Sequence, residues 1–448
     1  MGDTKSALRF ITCGSVDDGK STLIGRLLVD SRSVLIDQLA NVSKSGSVDL
    51  AQFTDGLSAE REQGITIDVA YRYFNTARRK FIIGDAPGHE QYTRNMVTAA
   101  SSADAAVVLV DATKVQWQSQ NLELLPQTRR HSLLSHLLRV NSIVFAVNKL
   151  DALEDVTQAE TTGRAALAFA NISHALAKFA QAAGITVAAI VPISALKGHN
   201  VVEAVEGWCG YNGPSLLDIL ELLPVTPADT GLSLAFPVQW VEKYSSSSDT
   251  SQGRRVFWGR VATGFARVGQ AVKVMPSGQI ARITQVLGHT RQPGTVIAGH
   301  SAGLVLDREV DVSRGDWLLA VEPHQNDATT TSDDFEVSQA IGSFQPSCGL
   351  TGTVAWMDDE PLVAGRVYWA LHGHRWVKAR VKRIVHRLNI NTLAKEETTA
   401  LATNAIGHIE LVFQEPIASR PFSQSRVLGS LVLVDTASHK TAGAVLIN

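Results

Sequence analysis

The chain contains 448 residues, of which 45% are hydrophobic and 19% charged, and its formal net charge is −2. This length predicts two to four domains at about 100–200 residues each. The charge balance shows no basic excess of the kind that marks nucleic-acid or membrane binding. The three cysteines, Cys13, Cys209 and Cys348, are too few and too far apart for a disulfide framework or a cysteine-rich zinc site.

Membrane and export signals are also missing from the sequence. No apolar run reaches the roughly 18 residues that a membrane helix needs, and the amino terminus has no signal-peptide core. We therefore expect a cytoplasmic protein with no membrane and no nucleic-acid partner.

The first motif in chain order is a glycine-rich loop between a predicted strand and a predicted helix. The loop follows the apolar run Leu8–Cys13 and has the pattern G-x-x-x-x-G-K-S. Backbone N–H groups of such a loop wrap phosphates at a helix N-terminus. Lys20 is expected to reach the β- and γ-phosphates and Ser21 to bind Mg²⁺. The residues predicted to hold the phosphates are Gly14, Ser15, Val16, Asp17, Asp18, Gly19, Lys20, Ser21 and Thr22.

Apolar strands alternate with longer helical stretches up to about residue 224. This alternation is typical of a parallel sheet with helices on both faces. Ligands of such sheets bind beyond the carboxyl ends of the strands, so polar residues there should converge on the phosphate loop. The predicted strands are Leu8–Cys13, Lys80–Gly84, Ala105–Asp111, Ser142–Asn148 and Thr186–Ile193.

The remainder of the chain reads as two small β-barrels. Prolines and small polar residues at 225–231 end the last helix and indicate a linker. After it, short runs such as Arg255–Val261 and Ala271–Met275 lie between glycine turns, a pattern typical of a barrel. We predict an α/β P-loop domain at 1–224, a linker at 225–231, a β-barrel at 232–323, a linker at 324–334 and a second all-β barrel at 335–448.

Two further stretches are predicted to face the γ-phosphate. The turn of Asp85, Ala86, Pro87 and Gly88 follows a strand, so the Asp85 carboxylate can hold Mg²⁺ through water and the Gly88 N–H can meet the phosphate. The charged stretch 55–68 is broken by Gly64 before a strand. We interpret it as a loop that closes over the nucleotide, where Thr66 completes the Mg²⁺ shell.

Two strand ends predict recognition of guanine. Asn148, Lys149, Leu150 and Asp151 end one strand, and the Asp151 carboxylate can accept two hydrogen bonds from guanine. Adenine would leave that carboxylate unpaired, which discriminates strongly against it. Ser194, Ala195 and Leu196 follow the next strand and can offer a backbone N–H to the guanine O6. Together these motifs predict a guanine-nucleotide site.

The motifs, in this order, resemble those of GTPases of the translation-factor class. Within that class the chain is most similar to the GTPase subunit, subunit 1, of bacterial ATP sulfurylase (sulfate adenylyltransferase). The resemblance covers nearly the whole chain and is strongest in its first third. The stretches that carry it are Thr12–Leu28, Ala59–Phe74, Gly88–Met96, Trp356–Leu362 and Ile390–Thr392.

The resemblance implies a GTPase domain followed by two β-barrels, as in elongation factor Tu, with GTP and Mg²⁺ as ligands. It implies a smaller adenylyltransferase partner that makes adenosine 5′-phosphosulfate and pyrophosphate from ATP and sulfate, driven by GTP hydrolysis on this chain. His89 is expected to orient the attacking water, flanked by Val16 and Ile65, and Asp17 matches a position linked to a monovalent cation. Lys20, Thr66, Gly88 and His89 are therefore the predicted catalytic residues.

Two other functions share these motifs. One is an elongation factor that carries aminoacyl-tRNA, and the other is a switch that binds GTP only to hold a complex together. The lack of a basic excess disfavours the first, and Thr66, Gly88 and His89 disfavour the second.

Three features lie outside the nucleotide motifs. We interpret 115–126 as a tolerated surface insertion. The alternative hypothesis is that an exposed Trp117 and the cluster Leu122–Leu125 contact the partner. His372-Gly373-His374 is interpreted as a turn rather than a metal site. In 375–387, period-two alternation predicts Lys378, Arg380 and Lys382 on a solvated strand face.

Overall fold

The structure is a computed structural model that describes residues 6–31, 69–88, 93–119, 122–154, 163–243, 255–288, 294–321, 344, 346–390 and 392–448. Its contacts divide the chain into two units. The first comprises Met1–Thr226 and Asn389–Ala394, and the second comprises Pro227–Leu388 and Lys395–Asn448.

The first unit is built on a six-stranded sheet in the order β2-β3-β1-β4-β5-β6. All pairings are parallel except that β2 runs antiparallel to β3 at the sheet edge. The central strands β4 and β5 are buried along their whole length, which is why they are continuous apolar runs. The strands are β1 Leu8–Cys13, β2 Ala70–Asn75, β3 Lys80–Asp85, β4 Ala105–Asp111, β5 Ser142–Asn148 and β6 Val187–Pro192.

Helices pack against this sheet. In the last helix Ser215 and Asp218 form a reciprocal capping box, which satisfies two of the orphan donors at the helix start. The longest of the described helices is flanked by Gly163 and Gly184, both in the left-handed region. The helices are α1 Lys20–Asp30, α2 Thr93–Ser101, α3 Pro126–Leu137, α4 Arg164–Ala183 and α5 Leu216–Leu222, with short 3-10 turns at Leu150–Leu153 and Trp208–Gly210.

The first part of the second unit is a closed barrel in the order β10-β11-β13-β8-β7-β14, with β9 and β12 paired beside it. Phe236, Leu304 and Leu318 lie in its core and are fully buried. Its strands are β7 Ala235–Lys243, β8 Arg255–Arg260, β9 Phe265–Arg267, β10 Ala271–Met275, β11 Ile280–Leu287, β12 Thr295–Ile297, β13 Ser301–Leu306 and β14 Trp317–Ala320. The predicted barrel pattern in this region is confirmed.

The second part also closes on itself. β17 pairs with both β18 and β22, so the order β17-β22-β23-β15-β21-β18 returns to its start, and β19 extends the sheet. Its strands are β15 Pro346–Trp356, β16 Leu362–Val363, β17 Val367–His372, β18 Arg375–Leu388, β19 Lys395–Glu396, β20 Ala400–Leu401, β21 Ile406–Ala418, β22 Ser430–Asp435 and β23 Thr441–Ile447.

The alternation predicted for β18 is confirmed. Val377, Ala379 and Val381 are buried, whereas the predicted basic side chains are exposed. None of the helices within the described ranges is long and apolar enough to cross a membrane.

The two-histidine turn joins β17 to β18, as predicted, and lies where the two barrels meet. The buried His372 places Nε2 3.1 Å from the Leu428 carbonyl oxygen, and its ring lies 5.3 Å from that of Trp317. A Cβ on Gly373, whose φ is 60°, would lie 2.5 Å from Trp317 Cζ2. His374 Nε2 lies 2.9 Å from Gln239 Nε2. Both histidines therefore have packing partners.

Candidate functional site

The predicted phosphate loop lies between β1 and α1, in a backbone conformation that favours glycine. Gly14 has φ 153°, and Gly19, at the N-cap of α1, has φ 92°. A Cβ would lie 2.9 Å from the Leu109 carbonyl oxygen at the first position and 2.5 Å from Asn148 Nδ2 at the second. Helix α1 has no side-chain cap and no acidic residue in its first turn. Its first N–H groups can therefore bind an anion.

Lys20 is buried at the start of α1. Its Nζ donates to the carbonyl oxygens of Ser15, at 2.8 Å, and Gly14, at 3.3 Å. Burial lowers the pKa of this ammonium, while the nearby carboxylates of Asp85 and Asp18 oppose that shift. A buried cation is costly unless it is paired, and a phosphate held by the loop would add to the negative charge that these two carboxylates provide.

Gly88 lies directly against the phosphate loop. A Cβ at this position would lie 2.6 Å from Lys20 Nζ and 2.9 Å from the carbonyl oxygen of Gly14. Ala86 and Pro87, which precede it, are buried. Because the backbone at Gly88 approaches the loop so closely, only glycine fits there without displacing the loop.

Two of the three residues predicted to bind Mg²⁺, Ser21 and Asp85, lie on neighbouring elements. Ser21 is in the first turn of α1, and the buried Asp85 ends β3. Thr12, opposite Asp85 in the β1–β3 pairing, donates from Oγ1 to Asp85 Oδ1 at 3.3 Å. These donors fit Mg²⁺, which binds through one or two protein oxygens plus phosphates and water. Within the ranges listed for the fold, no three His, Cys, Asp or Glu side chains group as a metal site.

Two lysines bind backbone carbonyl oxygens of the phosphate loop, and the sequence analysis did not predict this shared role. Lys114 Nζ donates to the Val16 carbonyl oxygen at 2.5 Å and lies 3.5 Å from Asp18 Oδ1. Lys149 Nζ donates to the Asp17 carbonyl oxygen and lies 2.9 Å from Oδ2 of the buried Asp111. Asp111 ends β4. A polar residue at the carboxyl end of a parallel strand was the sequence feature that could have indicated its place beside the phosphate loop.

Asp18 turns back into the loop. Its Oδ2 accepts from the backbone N–H of Ser15 at 2.5 Å. Burial raises the pKa of this carboxyl group, and the charges of Lys20 and Lys114 oppose the shift. By contrast, the neighbouring Asp17 is exposed, with φ 61°, so its carboxylate is accessible to a ligand.

Asn148 joins the phosphate loop to the turn 194–197, which we call the base loop because it is predicted to bind the base. Its Nδ2 donates to the Asp18 carbonyl oxygen at 2.8 Å, and its Oδ1 accepts from the Ala195 N–H at 3.0 Å. Both bonds are buried. The amide thus fixes two of the predicted motifs to each other within the protein, and it engages the Ala195 N–H, one of the backbone donors of the turn predicted to meet guanine O6.

Asp151 lies beside the same turn. Its carboxylate is 3.9 Å from Lys197 Nζ, and Leu150, which precedes it, is buried in a 3-10 turn. Within the turn, Ser194 Oγ accepts from the Lys197 N–H at 3.0 Å. The two motifs predicted to read the base are therefore adjacent.

The hypothesis of an exposed Trp117 is wrong. This side chain is only 5% exposed, as are Val115 and Leu124. Asn171 Nδ2, on α4, donates to the Trp117 carbonyl oxygen at 3.0 Å, and the Arg164 guanidinium lies 5.8 Å from the indole centroid. The tryptophan belongs to the packing of the first unit because α4 covers it. It offers no surface for a partner.

Three predicted residues cannot be placed. Thr66, His89 and Ile65 lie outside the residues that the structure describes. Their roles rest on the sequence.

Comparison with protein families gives two matches. The elongation factor Tu GTP binding domain matches residues 5–224. A GTP-eEF1A C-terminal domain-like family matches residues 349–448. The first match contains every nucleotide motif described above, so this part of the chain binds GTP.

Relatives are similar over nearly the whole chain. The bifunctional enzyme CysN/CysC of Xylella fastidiosa is 42% identical over 450 residues, which cover 99% of this chain and 66% of that protein. Sulfate adenylyltransferase subunit 1 of Laribacter hongkongensis is 41% identical over 453 residues, covering 99% and 86%. The same subunit of Erwinia tasmaniensis is 42% identical over 457 residues, with the same coverage. A solved structure of sup35 complexed with GDP covers 99% of this chain and 94% of that chain at 20% identity, but its TM-score of 0.40 is too low to support a fold assignment.

Proposed function

Because the chain belongs to the family of sulfate adenylyltransferase subunit 1, we propose that GTP hydrolysis on it drives sulfate activation on a partner subunit. The reaction on the partner joins sulfate to the α-phosphate of ATP and releases pyrophosphate, giving adenosine 5′-phosphosulfate. The name "subunit 1" implies a partner. We propose that this partner is a smaller adenylyltransferase that binds ATP and sulfate.

The observation that carries the GTPase part is the closeness of Lys20, Gly88 and the loop carbonyl oxygens. A γ-phosphate in the loop would meet the ammonium and the Gly88 N–H together. Phosphoryl transfer needs positioning and charge stabilisation more than covalent chemistry. These groups supply both.

Hydrolysis then proceeds by attack of water on the γ-phosphorus, and the bond to the β–γ bridging oxygen breaks to leave GDP and phosphate. His89 orients the water, and the loop N–H groups with Lys20 stabilise charge on the phosphate oxygens. Mg²⁺ would be held by Ser21, Thr66 and, through water, Asp85, and would neutralise charge on the β- and γ-phosphates. Asp17 is proposed to face a monovalent cation.

Guanine is proposed to lie between the two adjacent base motifs. Asp151 accepts from the guanine N1–H and 2-amino group, and the stem of Lys149 lies across the ring. The turn 194–196 offers a backbone N–H to O6. The link that Asn148 makes between the loops supports this arrangement, because it holds the phosphate and base ends at a fixed separation.

We also propose the domain boundaries expected from the sequence, namely a GTPase domain at 1–224 and barrels at 232–323 and 335–448. The first unit ends at Thr226 and the second begins at Pro227, which supports a linker at 225–231. A cytoplasmic location is proposed because GTP and ATP are available there.

The test is an omission experiment. The chain is purified with its cognate smaller subunit, and GTP hydrolysis is measured with ATP and sulfate together, with each omitted, and without the partner. We expect full stimulation only in the complete mixture. Stimulation by ribosomes, with no response to ATP and sulfate, would instead identify an elongation-factor function.

A further inference from the structure

Arg26 connects the phosphate-binding helix to the base-binding turn. It lies in α1, whose first turn carries Lys20 and Ser21. Its Nε donates to the Ala195 carbonyl oxygen at 3.2 Å, and its Nη2 donates to the Leu196 carbonyl oxygen. These contacts span about 170 residues of sequence, so no local pattern indicates them.

The guanidinium is itself held in place. Its Nη1 lies 3.6 Å from Asp30 Oδ1, one turn further along α1, and the Arg26 side chain is 22% exposed. A Cβ on Gly198 would lie 3.6 Å from Arg26 Cδ. Because a guanidinium is planar with its donors in a fixed fork, it can bind two neighbouring carbonyl oxygens at once.

Anchoring a carbonyl oxygen also orients the next N–H group. The peptide unit is planar and trans, so the N–H of residue i+1 points opposite to the C=O of residue i. The bond from Arg26 to the Ala195 oxygen therefore directs the Leu196 N–H away from α1. The bond to the Leu196 oxygen directs the Lys197 N–H, which donates to Ser194 Oγ.

The other donors of the turn are engaged in the described structure. The Ala195 N–H donates to Asn148, the Lys197 N–H to Ser194 Oγ and the Gly198 N–H to the Ser194 carbonyl oxygen at 2.7 Å. No such bond is described for the Leu196 N–H. Its direction is set by Arg26, and the turn lies beside Asp151.

We propose that Arg26 is a positioning residue for guanine specificity, which fixes the Leu196 N–H toward the 6-oxo group of the base. Arg26 does not touch the nucleotide in this scheme. Its effect is to make the contact to O6 stronger by holding the turn in one orientation. The inference rests on the proposed guanine site and is independent of the coupling to a partner.

The experiment compares GDP with the diphosphate of 2-aminopurine riboside, which keeps the 2-amino group but lacks both O6 and the N1–H that Asp151 is proposed to bind. Affinities are measured by competition against a fluorescent GDP, for the full chain, Arg26→Ala and Arg26→Lys. Arg164→Ala is the matched control, because that arginine lies over Trp117 and not at the turn.

Arg26→Ala should weaken GDP binding at least about tenfold, which corresponds to ~1.4 kcal/mol, and leave the 2-aminopurine nucleotide within about twofold. Arg26→Lys lacks the planar fork that reaches the two carbonyl oxygens from separate nitrogens, and it should lose about threefold in selectivity. Arg164→Ala should keep full selectivity. If Arg26→Ala does not fold, the proposal is tested by Arg26→Lys alone, and unchanged selectivity in that variant would contradict it.

Two failures are distinguishable. If the unmodified chain does not prefer GDP to the 2-aminopurine nucleotide, the proposed guanine site is wrong. If it does, and the Arg26 variants keep that preference or weaken both nucleotides equally, the proposed role of Arg26 is wrong.

Discussion

Replacement of Asn148 by alanine is the sharpest test of the link between the phosphate and base loops. The Asn148 side chain is 3% exposed and makes two buried bonds, to the Asp18 carbonyl oxygen and from the Ala195 N–H. Alanine leaves both backbone groups buried without this partner. Each such group costs about 1–3 kcal/mol, so the first unit should lose about 2–6 kcal/mol out of a typical ~5–15 kcal/mol.

The matched control is Asn171→Ala. Asn171 makes one partly buried bond, to the Trp117 carbonyl oxygen at 3.0 Å, so its loss should cost only about 0.5–1.5 kcal/mol. Thermal unfolding of the two variants is compared with that of the unmodified chain. At roughly 2–4 °C per kcal/mol, Asn148→Ala should lower the unfolding midpoint by at least about 4 °C, and Asn171→Ala should lower it by less.

Nucleotide binding provides the second readout. Asn148→Ala should weaken GDP binding more than tenfold, an effect of at least ~1.4 kcal/mol, because the phosphate and base loops are no longer fixed to each other. Asn171→Ala should leave it unchanged. Equal thermal shifts in both variants, or intact GDP affinity in Asn148→Ala, would show that the amide does not organise the site.

Three other predictions test separate parts of the site. Gly88→Ala should weaken GDP binding and lose most GTP turnover, because the new Cβ would lie 2.9 Å from a loop carbonyl oxygen and displace the phosphate loop; unchanged GDP affinity with equal turnover in a single-turnover assay would contradict this. Trp117→Ala should cost about 3–5 kcal/mol of stability without altering partner binding, and selective loss of complex formation in a pull-down would restore the partner hypothesis. Asp151→Asn should shift preference toward xanthine nucleotides, since the amide can donate to a 2-oxo group; an unchanged GTP preference in competition binding would contradict the base assignment.

The sheet of the first unit was predictable because its strands carry strong local signals. β4 and β5 are apolar throughout and buried at every residue, and the phosphate loop follows β1 with a recognisable glycine pattern. The direction of a strand relative to its neighbour was harder to predict from the sequence. β2 is antiparallel to its neighbour, and an amphipathic run of six residues carries no information about which way it pairs.

Contacts between distant residues were beyond sequence reasoning. Lys114 binds the Val16 carbonyl oxygen across 98 residues, and a lysine in a loop usually indicates only a solvated surface. Trp117 was misjudged for the same reason, because its cover comes from α4, more than 40 residues later. The sequence tells which groups such side chains can bind, but it does not tell which distant residue the fold places beside them.

The coupling of GTP hydrolysis to sulfate activation is tested most directly by the yield of adenosine 5′-phosphosulfate. The complex with the smaller subunit is incubated with ATP and sulfate, and the steady level of product is measured with GTP, with a non-hydrolysable GTP analogue and without guanine nucleotide. We predict that GTP raises the product well above the level reached without it, whereas the analogue does not. The same final level in all three mixtures would contradict the account, since hydrolysis on this chain would then contribute no driving force.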